Sequence, residues 1–89
     1  MNIIFDTVKD ASNIKKHGVS LGQASQLEWN TALIWVDNRF DYKELRECAL
    51  ALLGDRLFYV TFVDRAEGRR IISLRKANSR EVKRYVLDN

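Results

Sequence analysis

The side chains able to do chemistry in this sequence are unevenly placed. Positions 65 to 84 hold eight basic residues, Arg65, Arg69, Arg70, Arg75, Lys76, Arg80, Lys83 and Arg84, against only Glu67 and Glu81. Residues 1 to 64 carry seven basic and nine acidic side chains. The stretch is therefore strongly positive on a chain whose formal net charge is only +3. Arginine presents a planar fork of donors that matches phosphate oxygens. Such a block points first to a polyanion, and among polyanions to nucleic acid. A solvated basic face, or a face for an acidic protein, has the same composition. The single histidine, His17, is the only side chain with an unperturbed pKa near neutrality, which makes it a candidate general base. Its place before Gly18 equally suits a helix end, where imidazole meets free carbonyls.

Were the polyanion an RNA to be cut without a metal, the reaction would require help for the attacking 2′-hydroxyl, positive charge around the dianionic phosphorane, and a proton for the departing 5′-oxygen. The sequence offers arginines at strand ends, a tyrosine and one histidine, and no Asp/Glu cluster spaced for two metals. No metal site and no cofactor are expected. Arg65 ends the most apolar strand and Arg75 the strand that pairs with it. Arg75 is the candidate phosphate clamp, with a surface ion pair as its other reading. Lys76 and Lys16 are candidates for phosphate attraction. Arg80 and Arg84, four apart, share a helix face. Tyr85 is a stacking platform or proton donor, or else packs its ring on the sheet. Glu81 reads as a capping acid before it reads as a base. Trp29 and Trp35 suit base stacking or the core. Cys48 lies in an apolar run and reads as buried; as the one cysteine it excludes an internal disulfide.

The elements that must position these groups follow from local patterns. With 89 residues the chain is expected to form a single domain, 1–89. Ile3 to Phe5 reads as a short strand. Asp6 is an N-cap for a helix over Thr7 to His17, with Val8, Ala11 and Ile14 on the inward face. Gly18 closes it as a left-handed cap. Ser20 and Gln23 make a capping box for a second helix, Leu21 to Trp29, with Leu21, Ala24 and Leu27 inward; the two form a helical hairpin. Thr31 to Val36 reads as a strand and Asp37 to Lys43 as a turn. Residues 44 to 53 fit helix by propensity and strand by alternation. Leu57 to Val63 is a clear strand, and Arg69 to Arg75 pairs back on it as a hairpin. Asn78 caps a last helix over Ser79 to Leu87, with Glu81 at its third position. No apolar run approaches the length of a membrane span, and the first residues lack a signal-peptide pattern, so a reducing cytoplasm is the expected compartment.

Two motifs carry a resemblance. Phe5-Asp6-x-x-Lys9 with Asn13-x-x-Lys16-His17-Gly18-Val19-Ser20, and Arg70-Ile71-Ile72-Ser73-Leu74-Arg75-Lys76-Ala77 with Arg80-Glu81 and Tyr85, resemble the start and end of the BrnT toxins. The resemblance spans nearly the whole chain. It implies an α+β, RelE-like fold, β-α-α-β-β-β-α, with a small antiparallel sheet packed by the helical hairpin and the C-terminal helix. It also settles 44 to 53 as strand. It implies a metal-independent endoribonuclease that arrests translation. Arg65, Arg75, Arg80, Tyr85 and His17 are then the catalytic candidates, and Lys16, Lys76 and Arg84 the RNA-binding ones. The implied partner is a BrnA-like antitoxin in a two-to-two complex, through which alone the toxin meets operator DNA; no membrane is involved. The alternative is a basic module that binds RNA, the ribosome or DNA without cutting.

Overall fold

The computed structural model describes residues 1–39 and 43–88. Residues 40–42 of the expected turn Asp37 to Lys43, and position 89, lie outside the described residues. The architecture is α+β, built on one five-stranded sheet. Its strands are β1 (Ile3–Ile4), β2 (Leu33–Val36), β3 (Glu47–Leu53), β4 (Arg56–Arg65) and β5 (Gly68–Lys76). Helix α1 (Thr7–His17) and two 3₁₀ segments, Leu21–Gln26 and Trp29–Thr31, separate β1 from β2, and α2 (Ser79–Asp88) follows β5. The spatial order is β1-β5-β4-β3-β2.

This differs from the sequence reading in three ways. Four strands follow the helical segments, corresponding to the stretches 31–36, 44–53, 57–63 and 69–75, so the string β-α-α-β-β-β-α is one strand short. The sheet is mixed, because β1 lies parallel to β5, with Ile3 opposite Arg69 and Ile4 opposite Arg70. Gly68 permits that pairing: at φ 152° it lies where side chains are disfavoured, and a Cβ there would meet the Asn2 carbonyl oxygen at 2.5 Å. Finally, the helical hairpin is replaced by one α-helix followed by 3₁₀ turns. Asp10 of α1 is the reason. Its carboxylate accepts from the Ser20 hydroxyl at 2.9 Å and from the Leu21 N–H at 2.7 Å, so the new segment is capped from α1. The Ser20 hydroxyl and carbonyl instead hold the Gly22 and Gln23 N–H groups in tight turns.

The local signals that did act are visible. Asp6 accepts from the Val8 and Lys9 N–H groups, and Gly18 closes α1 at φ 75°. Val19, Leu21, Ala24 and Leu27 pack against Ala49, Ala51, Phe58, Val60, Phe62, Ile71 and Leu74 on one sheet face. Trp29 meets Phe62 edge-on, 5.2 Å between centroids.

Helix α1 turns an unexpected side inward. Val8 and Ile14 are 77% and 46% exposed, whereas Asn13 is 6% exposed. The reason lies in β5, whose outer edge runs on past the short β1. Asn13 completes that edge: its carboxamide accepts from the Leu74 N–H at 3.2 Å and donates to the Leu74 carbonyl at 2.8 Å and the Val19 carbonyl at 2.9 Å. Buried backbone groups must be paired, and an apolar stripe offers nothing to pair them.

Candidate nucleic-acid interface

The other face of the sheet carries the candidate site. Side chains alternate along strands, and the register aligns them in rows. Arg75, Tyr59, Leu50 and Leu33 lie opposite one another across β5, β4, β3 and β2; Ser73, Thr61, Cys48 and Trp35 form the next row. A β-bulge between Thr61 and Phe62 leaves Ile72 as the extra residue.

Aromatic rings and guanidinium groups interleave on these rows. Trp35 meets Tyr59 edge-on at 5.8 Å. The Arg75 guanidinium lies over the Tyr59 ring at 4.3 Å, and that of Arg84 over Trp35 at 4.1 Å. The Tyr59 hydroxyl donates to the Cys48 sulfur at 3.1 Å, which itself lies 3.7 Å from the Thr61 hydroxyl. Burial first, then this contact, pushes the Tyr59 pKa up to about 12, so the phenol is neutral near neutral pH. Beside it, Arg39 forks onto the buried Asp37 carboxylate at 2.8 and 3.0 Å.

Helix α2 is held against these rows by polar contacts, and none of its residues is buried. The Glu81 side chain accepts from the Asn78 N–H at 2.9 Å, and Asn78 accepts from the Glu81 N–H at 2.8 Å, the reciprocal capping box read from the sequence. Glu81 also takes both arms of Arg75 at 2.9 and 2.8 Å. That pair holds the Glu81 carboxyl below its ordinary range and the guanidinium above its own. The Tyr85 hydroxyl donates to the Thr31 carbonyl at 3.2 Å.

The expected site residues therefore fall into three places. Arg75 and Lys76 end β5, and Arg80, Arg84 and Tyr85 follow on α2, whose later residues reach the β2 side: Arg84 covers Trp35 and Tyr85 meets Thr31. Arg65 is elsewhere: it pairs with Gly68 at the far turn, six residues along β4 from Tyr59, which is about 20 Å of strand. There it holds Glu44 at 2.8 Å. His17 and Lys16 lie at the end of α1, around a concavity that includes Ser73. The arginine block is also less positive than its sequence suggests. Arg65, Arg69, Arg70, Arg75 and Arg84 each face a carboxylate, respectively of Glu44, Asp64, Asp6, Glu81 and Asp88.

Sequence reasoning missed Tyr59, which it saw only as strand, and the Arg39–Asp37 pair. Alternation within Leu57 to Val63 was the available signal for Tyr59, since it sets that ring opposite Phe58 and Val60. Arg69, read only as basic, is wedged between Trp29 at 4.6 Å and Phe62 at 4.2 Å with its fork on Asp64, a structural role.

A family model described as the ribonuclease toxin BrnT of a type II toxin–antitoxin system matches residues 5–81. The chain belongs to the BrnT family. The match runs from Phe5, just after β1, to Glu81 on α2, so it takes in strands β2 to β5 and the Asn13 clasp. BrnT membership makes the chain a ribonuclease toxin of a type II pair, with an antitoxin as its counterpart. No curated protein matches it. Among the described residues no helix is long and apolar enough to cross a membrane.

Proposed function

We propose that this BrnT protein is an endoribonuclease of RelE-like design that cuts RNA through the 2′-hydroxyl without a metal, and so arrests translation. The observation that carries the reading is the alternation of Arg84, Trp35, Tyr59 and Arg75 along the sheet face on which α2 lies. Aromatic rings take unpaired bases by stacking, and guanidinium groups take the phosphates between them. Three of the five Arg75 N–H donors are engaged, two on Glu81 and one on the Lys76 carbonyl. The remaining two are available to a scissile phosphate, with Arg80 one residue from Glu81 adding positive charge. Stabilising the phosphorane this way is worth about 100-fold or more per donor lost. Tyr85 anchors α2 over the strand ends and offers a phenol at the edge of the site. Metal independence is supported by the state of the acids here: Asp37 and Glu81 are each gripped by an arginine.

The test is incubation of the purified protein with RNA in EDTA, followed by end-group analysis. Products ending in 2′,3′-cyclic phosphate or 3′-phosphate are expected; 5′-phosphate ends with a Mg²⁺ requirement would refute the mechanism. Two variants locate the chemistry. Arg75→Ala removes the clamp and loosens α2, whereas Glu81→Gln loosens α2 and leaves the clamp. Loss of cleavage in the first alone assigns Arg75 to the phosphate; equal loss in both assigns it to holding the helix.

The antitoxin is proposed to be BrnA-like, in a two-to-two complex that reaches operator DNA through the antitoxin, and to cover this face. RNA and antitoxin then compete. Saturating antitoxin that leaves cleavage unchanged would remove this face from control.

A further inference from the structure

Around the buried Asn13, α1 carries an exposed polar stripe: Lys9, Ser12 and Lys16 stand with it at helical spacing on one side. Asn13 is consumed by Leu74 and Val19. The others, with His17, line a pocket of about 260 Å³ whose floor is Ile72 and Ser73 of β5. Its lining brings together two ammonium groups, an imidazole and two hydroxyls, and no carboxylate. The acids nearest in sequence have other partners: Asp10 is taken by Ser20 and Leu21, and Asp6 by the backbone of Val8 and Lys9 and by Arg70 at 4.0 Å, with the Lys9 charge a weaker influence on it. Among the described residues, Lys9, Lys16 and His17 have no carboxylate within ion-pair distance, in contrast to the paired arginines of the C-terminal block.

We infer that this pocket is a phosphate site for the RNA strand, separate from the Arg75 clamp; the inference rests on the ribonuclease reading above. Converging cations and hydroxyls without a counter-charge suit an anion rich in acceptor oxygens. The pocket is also placed for a strand lying on the Tyr59–Trp35 rows. Ser73, in its floor, precedes Arg75 by two residues on the same strand face, about 7 Å away. A strand held at Arg75 therefore meets the pocket with another of its phosphates as it crosses the β5 edge. Lys9, Ser12 and Ser73 join Lys16 and His17 as binding residues, and the β-bulge at Ile72 shapes the floor.

The probe is a single-stranded oligoribonucleotide made uncleavable by 2′-O-methylation, bound at several salt concentrations. The Lys9→Gln/Lys16→Gln double variant keeps the aliphatic stems and loses both charges. Lys15→Gln, elsewhere on α1, is the control for net charge. Each phosphate contact contributes about 0.7 to the slope of log affinity against log salt for a single strand. The double variant is expected to bind at least about 10-fold more weakly and to lose about 0.7 to 1.4 of slope, with the control unchanged in slope. The oligonucleotide should also shift the NMR resonances of the His17 ring in the unaltered protein. An unchanged slope in a double variant that still folds overturns the inference while the ribonuclease reading stands. His17 responding to inorganic phosphate but not to the oligonucleotide overturns the assignment to RNA. If the unaltered protein does not bind the oligonucleotide, both readings fall.

Discussion

Replacing Asn13 by alanine should be among the most damaging single changes in this protein, although asparagine in a helix is ordinarily expendable. The substitution removes two hydrogen bonds to Leu74, which is fully buried, and one to the Val19 carbonyl. Each buried backbone group left unpaired costs about 1–3 kcal/mol. The two Leu74 groups thus give roughly 3 kcal/mol, to which the Val19 carbonyl adds a share. Alanine returns about half a kcal/mol through better helix propensity. A net loss of about 2.5–3 kcal/mol is large against the roughly 4–13 kcal/mol expected for a chain of this length. It should lower the melting temperature by about 10–20 °C in a domain this small. The assay is thermal unfolding followed by circular dichroism, with amide exchange at Leu74 as the local readout. Val8→Ala, on the apolar stripe that periodicity pointed inward, should shift stability by less than about 0.5 kcal/mol because that side chain is exposed. A loss below about 1 kcal/mol at Asn13, or a larger one at Val8, would refute the account of how α1 docks.

Three further outcomes are expected. Glu81 has its carboxyl pKa depressed by Arg75, so its contribution is present above the unfolded carboxylate range and is lost as pH falls through the lower folded value; thermal melts in acid should show a component that Glu81→Gln removes. Tyr59 is raised to about 12, so the unfolded chain ionises first and stability declines as pH climbs from about 10 to that value; ultraviolet titration should find one tyrosine ionising late, and a folded protein with all its tyrosines ionising near 10 would contradict it. Cys48 is 1% exposed, so thiol reagents should react at the rate of global opening and slow further when ligand binds; rapid modification of the folded protein would show that the Tyr59 row opens locally.

What could be read from the sequence was whatever is decided within a few residues. Asp6, Gly18 and the Asn78–Glu81 box act on their own turns, and β4 and β5 meet across a short link, so these elements lie close to where their patterns put them. Strand β3, from Glu47 to Leu53, went against local helix propensity because its alanines and leucines are buried between β2 and β4. The orientation of α1 was illegible for a different reason. Asn13 faces inward to satisfy Leu74, 61 positions away, and no helical periodicity encodes that need. The site suffered likewise. Composition counted the arginines but not the acids that would reach them, and Glu44, Asp64 and Asp6 come from separate parts of the chain.

The pairing of β1 with β5 also fixes when this protein can exist. Ile3 waits for Arg69, and Asn13 for Leu74. A ribosome delivers the chain from its N-terminus at about 5–20 residues per second, so the first strand and first helix emerge long before the strand that receives them. Contacts of such sequence separation form late and close large loops. Until β5 is released, β1 has no neighbour, the α1 clasp has nothing to hold and the Arg75–Tyr59 row is unmade. The fold is in this sense a clock set to the release of β5: a chain still on the ribosome without that strand lacks the assembled Arg75–Tyr59 row, and only a chain that has released β5 acquires it.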